Sequence, residues 1–183
     1  MTNTKKTVIA IICAICILSV GIGATVAFIT SLAGPVNAVF VIGKIDLSFS
    51  ETTGSSYKLV PGKVIAKDPT VTVGKGSESC WVFVKINESD NFDDYLTYAV
   101  ADGWLPLGGQ EGVYYREVAE AEAELVYPVL RDNSITVSDR LTAEKMSAIT
   151  ASPTLSFRAY AVQRLKVETA ADAWRLITEE GAG

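Results

Sequence analysis

The chain has few groupings of side chains that could do chemistry, and one missing residue type removes most of the familiar ones. None of its 183 residues is histidine. A Ser-His-Asp or Cys-His nucleophile, a histidine-ligated zinc site and the HExxH helix of metalloproteases are therefore excluded. A pair of carboxylates for glycoside hydrolysis and a Ser-Lys dyad stay open, but no spacing singles either out. We therefore predict that the chain is not an enzyme and expect no catalytic residues.

Two polar groupings resemble binding motifs but lack essential positions. Asp90, Asp93 and Asp94 form a carboxylate cluster, yet the segment lacks the alternate oxygen spacing and the glycine of a calcium loop. We predict a solvated acidic turn there, with weak calcium binding left open. The Gly-Lys-Gly-Ser sequence at residues 74–77 has no upstream glycine at phosphate-loop spacing. We predict a hairpin tip there, and neither a metal ion nor a cofactor for the chain.

The charge of the chain argues against one class of partner. Lys and Arg number 16 against 21 Asp and Glu, which gives a formal net charge of −5. Binding to phosphates requires a basic surface. We therefore predict no nucleic-acid partner.

The N-terminal segment has the pattern of a secretion signal. Lys5 and Lys6 precede residues 7–28, which contain no charged side chain. Lysines before the apolar run keep the N-terminus in the cytoplasm and send the rest outward. An uncleaved anchor stays open, because the run is long enough to span a bilayer. We predict a secreted protein of the extracellular matrix or cell surface that meets the membrane only through this segment.

The small residues at the end of the apolar run indicate where signal peptidase cuts. Thr25 and Ala27 fit the small-residue rule for a cleavage site, which makes Phe28 the first residue of the mature chain. Ala38 ends a second segment that fits the same rule. We prefer Ala27, because it ends the apolar run. The predicted organisation is a signal peptide at residues 1–27, an N-terminal leader at 28–44 and a β-sandwich domain at 45–183.

Removal of the signal leaves Cys80 alone. Cys13 and Cys16 lie within the signal, so no disulfide can form inside the mature chain. Cys80 precedes the apolar sequence Trp-Val-Phe-Val, which indicates a small buried hydrophobe. Pairing with a second molecule stays open.

The mature part shows the two-residue period of strands more often than the helical period. We predict short strands within residues 45–50, 57–60, 64–65, 70–73, 80–86, 113–118, 125–130, 134–138 and 154–167. Residues 80–86 are apolar on both faces except at Lys85, as in a central strand. Pro128 marks an edge strand. Short helices are predicted at 142–149, capped by Thr142, and from the cap Thr169 onward. The fold class is all-β, a jelly-roll-like two-sheet sandwich with one or two short helices.

The stretch GIGATVAFITSLAGPVNAVFVIGKIDLSFSE resembles the junction between signal and first strand in the SipW-processed family of secreted bacterial proteins. That family contains TasA biofilm fibre subunits and camelysin. Its signal tail is followed by a spacer and a hydrophobic-Gly-x-hydrophobic-Asp-hydrophobic strand, a form that residues 41–47 have. The segments KDPTVTVGKGSESCWVFVKI and LSFRAYAVQ, with AADAW after them, are also similar to exported members.

The resemblance implies a structural protein that self-assembles into extracellular or cell-surface fibres of the biofilm-matrix type. Members of the TasA branch donate an N-terminal strand to the next subunit, so cleavage would release the assembly strand. Here that strand would contain Phe28, Ile29, Thr30 and Leu32. The implied partners are copies of itself or related fibre subunits. A camelysin-like surface protease and a minor adaptor that anchors the fibres of a related subunit are the alternatives.

Overall fold

The structure is a computed structural model, and it describes residues 39–54, 58–142, 145–146, 149, 151–165 and 167–180. Strands predominate in this part of the chain. They are β1 (Val39–Ile42), β2 (Leu47–Ser50), β3 (Val64–Ala66), β4 (Thr70–Val73), β5 (Cys80–Glu88), β6 (Leu96–Thr97), β7 (Leu105–Pro106), β8 (Val113–Val118), β9 (Leu125–Pro128), β10 (Ser134–Val137) and β11 (Leu155–Gln163). The helices are α1 (Phe92–Tyr95), α2 (Ala170–Glu180) and a 3₁₀ turn (Arg131–Asn133).

The larger sheet has five strands in the order β1-β11-β5-β8-β7. Its two long strands, β5 and β11, pair antiparallel along their whole length. Strand β8 pairs antiparallel with the other side of β5, whereas β1 pairs parallel with β11. Strand β5 is therefore the centre of the sheet, and β1 and β7 are its edges.

Two three-stranded sheets, β2-β4-β9 and β3-β10-β6, form a second layer. One further backbone hydrogen bond extends each sheet to the break between them. The Lys67 N–H donates to the Asn133 carbonyl at 2.8 Å in one sheet, and the Val129 N–H donates to the Pro69 carbonyl at 2.9 Å in the other. Buried and more exposed residues alternate without interruption from position 64 to position 73. Strands β3 and β4 are therefore successive parts of one extended segment with a short break between them.

The large sheet is covered on both faces. Val82, Val84 and Ile86 of β5 belong to a buried cluster with the inward side chains of the second layer, including Val71 and Val137. On the other face, the neighbouring positions of β5 pack against α2. That second cluster contains Trp81, Phe83, Ala173, Trp174 and Ile177. The described part of the chain therefore has three layers: a helix, a five-stranded sheet and a layer of smaller sheets.

Helix α2 begins as the sequence predicts. The Asp172 N–H donates to Thr169 Oγ1 at 3.1 Å, which is an N-cap hydrogen bond. Ala173, Trp174 and Ile177 are buried, because the spacing of these residues places them on one side of the helix.

The described strands confirm the coarse prediction of an all-β fold with short helices, and β4 and β8 have the predicted bounds. Residues 58–60 were expected in a strand but lie in none. The turn at 74–77 is not a hairpin tip, because β4 and β5 belong to different sheets. Residues 145 and 146 of the predicted helix at 142–149 are helical. The predicted signal, residues 1–27, lies outside the described residues.

The segment that follows β2 is held to the break between the small sheets. Glu51 forms an ion pair with Lys67, and the two side chains are only 12% and 7% exposed. Next to them, the Asp68 carboxylate accepts hydrogen bonds from the hydroxyl and backbone N–H of both Thr52 and Thr53. These bonds, above all the one from the Thr52 hydroxyl, hold the pKa of Asp68 well below its usual range.

We predict that Glu51→Ala lowers the free energy of unfolding by about 3 kcal/mol, because it removes the Glu51 carboxylate from the buried Lys67 ammonium. The control is Asp102→Ala, which removes the partner of Arg131 in an ion pair whose side chains are 92% and 55% exposed. That control should cost less than about 1 kcal/mol. Urea unfolding measures both changes. Equal costs would contradict the importance of the buried pair.

We predict that the hydrogen-bonded Asp68 makes the fold sensitive to acid. Since its pKa is lowered on folding, its contribution to stability is present above the ordinary value of 3.8 and is lost as the pH falls through and below that value. Asp68→Asn should cost about 1 kcal/mol near neutral pH and flatten the decline of the unfolding free energy in acid. Asp132→Asn is the control, since Asp132 is exposed. The prediction would be contradicted if the unfolding free energy of Asp68→Asn declined in acid as steeply as that of the wild type.

Candidate functional site

The residues predicted to act in cleavage and assembly lie outside the described residues. They are Thr25, Ala27, Phe28, Ile29, Thr30 and Leu32, and Ala38 lies outside as well. The described part of the predicted leader begins with β1. Where β1 lies therefore shows at which surface the leader enters the fold.

The described part of strand β1 pairs with only half of β11. It pairs with β11 from Val39 opposite Ala159 to Ile42 opposite Val162. Residues 155–158 of β11 have no strand partner on this side within the described part of the chain. Within the described residues, no strand therefore lies beside residues 155–158 on this side. Residues 28–38 of the leader, which precede β1, lie outside the described residues.

The backbone groups on this edge of β11 can be identified from the ladder with β5. In an antiparallel pair, alternate residues direct both backbone groups at the partner strand. The Arg164 N–H donates to the Ser79 carbonyl at 2.9 Å, so even-numbered residues of β11 face β5. The odd-numbered ones face the other way. The N–H and C=O groups of Leu155 and Phe157 consequently point to the side of β1.

Strand β2, which lies against β11 and β1, pairs only with β4 among the described residues. The Gly74 N–H donates to the Asp46 carbonyl at 2.8 Å, so Leu47 and Phe49 direct their backbone groups away from β4. The rings of Phe49 and Phe157 stack at 6.2 Å between centroids. We call the outer edges of residues 155–158 and of β2 the leader flank.

The opposite side of the sandwich, between β8 and β9, is closed. Pro128 has no N–H at a position that faces outward, and its carbonyl accepts a hydrogen bond from Trp104 Nε1 at 2.9 Å. Beyond Pro128, Ala101 donates to the Val129 carbonyl and Arg131 to the Ala99 carbonyl. We call this side the closed flank.

An arginine between two aromatic rings completes the closed flank. The guanidinium carbon of Arg116 lies 3.9 Å from the centroid of the Tyr127 ring and 4.8 Å from that of Trp104. Burial lowers the pKa of Arg116, while the ring faces favour the cation. Sequence reasoning missed this group, although an arginine directly after Val113, Tyr114 and Tyr115 in a predicted strand was a signal of it.

The predicted acidic turn borders a polar cleft of about 860 Å³ at the end of β5. Asp90 and Asp93 line this cleft with Glu88 and Glu111. Tyr98 donates a hydrogen bond to Glu88, and burial together with this neighbour raises the pKa of the phenol. Among the described residues, no group of three or more Cys, Asp or Glu side chains is placed to hold a metal ion. Weak calcium binding at Asp90, Asp93 and Asp94 stays untested in solution.

Cys80 is fully buried and unpaired, which confirms the predicted hydrophobic role. Burial raises the pKa of its thiol to about 11, so the reactive thiolate is scarce at neutral pH. Its burial opposes the alternative of pairing with a second molecule.

Comparisons with protein-family models, with curated proteins and with solved structures gave no match. Among the described residues, no helix is both long and apolar enough to cross a membrane.

We predict that the indole N–H of Trp104 is needed to close its flank. Trp104→Phe should lower the free energy of unfolding by about 1 kcal/mol, because the Pro128 carbonyl loses its donor. The control is Trp174→Phe, which breaks a 3.3 Å bond to Gln110. Gln110 is exposed, so water replaces the lost donor at little cost. Urea unfolding compares the two, and a larger cost at Trp174 would contradict the role of Trp104.

Proposed function

We propose that this chain is an exported structural protein that self-assembles into extracellular or cell-surface fibres. After signal cleavage, the leader of one copy pairs with the leader flank of the next. In this proposal the chain belongs with the SipW-processed proteins that its N-terminal junction resembles. The observation that carries the proposal is that, within the described residues, no strand pairs with residues 155–158 of β11 on the side of β1.

The leader flank has the groups that an incoming strand needs. Unpaired backbone groups on a sheet edge are a template for pairing with another chain. Leu155 and Phe157 offer such groups beside β1, as derived above. A leader that runs parallel to β11, as β1 does, could pair with them and place alternate side chains toward Phe49.

The closed flank gives the proposed assembly a direction. Strand addition at β9 is opposed by Pro128, by the Trp104 hydrogen bond and by the Arg116 stack. Strands β3, β6 and β7 are also edges, but they have only three, two and two residues. Short edges are poor templates. If strands are added at the leader flank alone, each contact between copies is head-to-tail. Such contacts generate a fibre when the rotation between successive copies does not close a ring.

Two further features belong to the same proposal. Residues 1–27 act as the signal peptide, and cleavage after Ala27 frees Phe28 for assembly. The helix-covered sheet and the second layer together form a jelly-roll-like sandwich. The partners are further copies or related subunits, with signal peptidase acting during export.

The test is to produce residues 28–183 with Phe28 as the first residue, and to follow assembly by electron microscopy and light scattering. We expect filaments from this chain and none after deletion of residues 28–33. Leu155→Pro should also prevent filaments, because it removes an outward N–H without touching the ladder to β5. Val126→Pro is the matched control, since Val126 directs its N–H outward on the closed flank.

Each other outcome counts against the proposal. A protein that stays monomeric would exclude self-assembly and favour the adaptor alternative. Equal loss of filaments in Val126→Pro and Leu155→Pro would exclude a specific role for the leader flank. Proteolysis of casein by the pure protein would favour the camelysin-like alternative. Circular dichroism establishes that each variant is folded before it is scored.

A further inference from the structure

The second layer has an outward face whose strand positions are uncharged. In the sheet β2-β4-β9 the outward residues are Ser48, Ser50, Thr70, Thr72, Val126 and Pro128, as the alternation of burial shows. The outward residues of β3, β6 and β10 are Val, Ala, Ser and Thr as well. We call these outward strand residues the outer face. Charged residues make up 20% of the chain, so their absence from every outward strand position stands out.

Charged side chains occur in the break between the two small sheets rather than on the strands. Asp68 lies there, and its carboxylate is occupied by Thr52 and Thr53. Arg131 is paired with Asp102, while Asp132 is exposed beside it. The break therefore brings little unpaired charge to the middle of the outer face.

The outer face also exposes apolar side chains that a partner would cover. Val64 is 59% exposed and Val126 is 55% exposed. The corresponding face of the large sheet is covered by α2. Among the described residues, no element covers the outer face, and its strand positions combine exposed apolar side chains with an absence of charge. These properties favour association with another surface.

We propose that two copies of this chain associate through their outer faces, in a contact separate from strand exchange. The chain carries a formal charge of −5, so two copies repel each other, and an uncharged surface is where they approach at least electrostatic cost. A two-fold contact needs a self-complementary surface. Ser, Thr and Val side chains can face their own equivalents in a second copy, because none of them is charged and no opposite charge is required across the contact.

The size of the outer face sets the strength of the contact. With strands about 4.8 Å apart and a rise of about 3.3 Å per residue, the face measures roughly 30 Å by 15 Å. A pair of copies then buries on the order of 1,000 Å², which is the range of weak specific contacts. We therefore expect a dissociation constant between about 1 μM and 1 mM. None of the outward residues is aromatic, so the face lacks rings on which a sugar or a base would stack.

The test is sedimentation equilibrium of the exported chain, after filaments have been removed by centrifugation, at concentrations up to about 1 mM. We expect a reversible dimer that tightens as salt is added, because salt screens the repulsion between copies. Val126→Lys and Thr72→Lys should each weaken the dimer at least about tenfold, since each buries an unpaired charge. Leu165→Lys is the matched control, because it also replaces an exposed apolar side chain, 70% exposed, but lies on the connection to α2.

Three results would overturn the face contact. They are a monomer at every concentration, a dimer unchanged by both lysine variants, and a monomer that is retained by an insoluble polysaccharide. The salt series on the wild-type chain does not depend on whether a variant folds. A chain that forms filaments but no dimer leaves strand exchange standing, whereas a dimer without filaments removes strand exchange and keeps the face contact.

Discussion

Burial of β5 on both faces is the constraint on which the rest of the structure depends. Its side chains alternate between two apolar clusters, with Val82 and Val84 in one and Trp81 and Phe83 in the other. Each fully buried side chain of this size contributes about 1.5 to 3 kcal/mol, but only if both faces are covered. One cover is α2, and the other is the layer of small sheets. A strand that is apolar on one face alone would need neither the helix nor three layers.

When both faces of the large sheet are covered, the backbone groups at the sheet edges still need partners. The two flanks differ in how these groups are treated. On the closed flank, the outward groups of Pro128 are removed or satisfied by local means: the proline lacks an N–H, the Trp104 indole donates to its carbonyl, and Arg116 stacks over the indole. The leader flank has no such device among the described residues. Within the described residues, no strand pairs with Leu155 and Phe157 on this side, because the described part of β1 begins opposite Ala159. The described parts of the two flanks therefore differ in specific side chains.

The features that depend on local pattern could be predicted from the sequence. Apolar residues on both faces identified β5, alternation identified β11, and Thr169 with Asp172 identified the start of α2. Features that depend on contacts between distant parts of the chain could not be predicted from the sequence. The turn at 74–77 has hairpin residues, but β4 pairs with β2 and β9 instead of β5 because its inward valines belong to the second layer. Arg116 contacts Trp104 and Tyr127, which lie in other parts of the chain. No local sequence pattern predicts a contact of this kind. The residues of the proposed assembly strand lie outside the described chain and stay a prediction.

The two proposed contacts differ in symmetry, and the difference decides what each one builds. A leader that enters beside β1 runs parallel to β11, so donor and acceptor surfaces of one copy are different and the contact is heterologous. Such a contact repeats without limit unless the rotation between copies closes a ring. The outer face would meet its own equivalent, so that contact is isologous and ends at a pair. Because the leader flank lies on a strand edge and the outer face on outward side chains, one copy could make both contacts. Strand exchange would then lengthen a fibre, while the weak face contact, repeated along two fibres, would hold them side by side through multivalency.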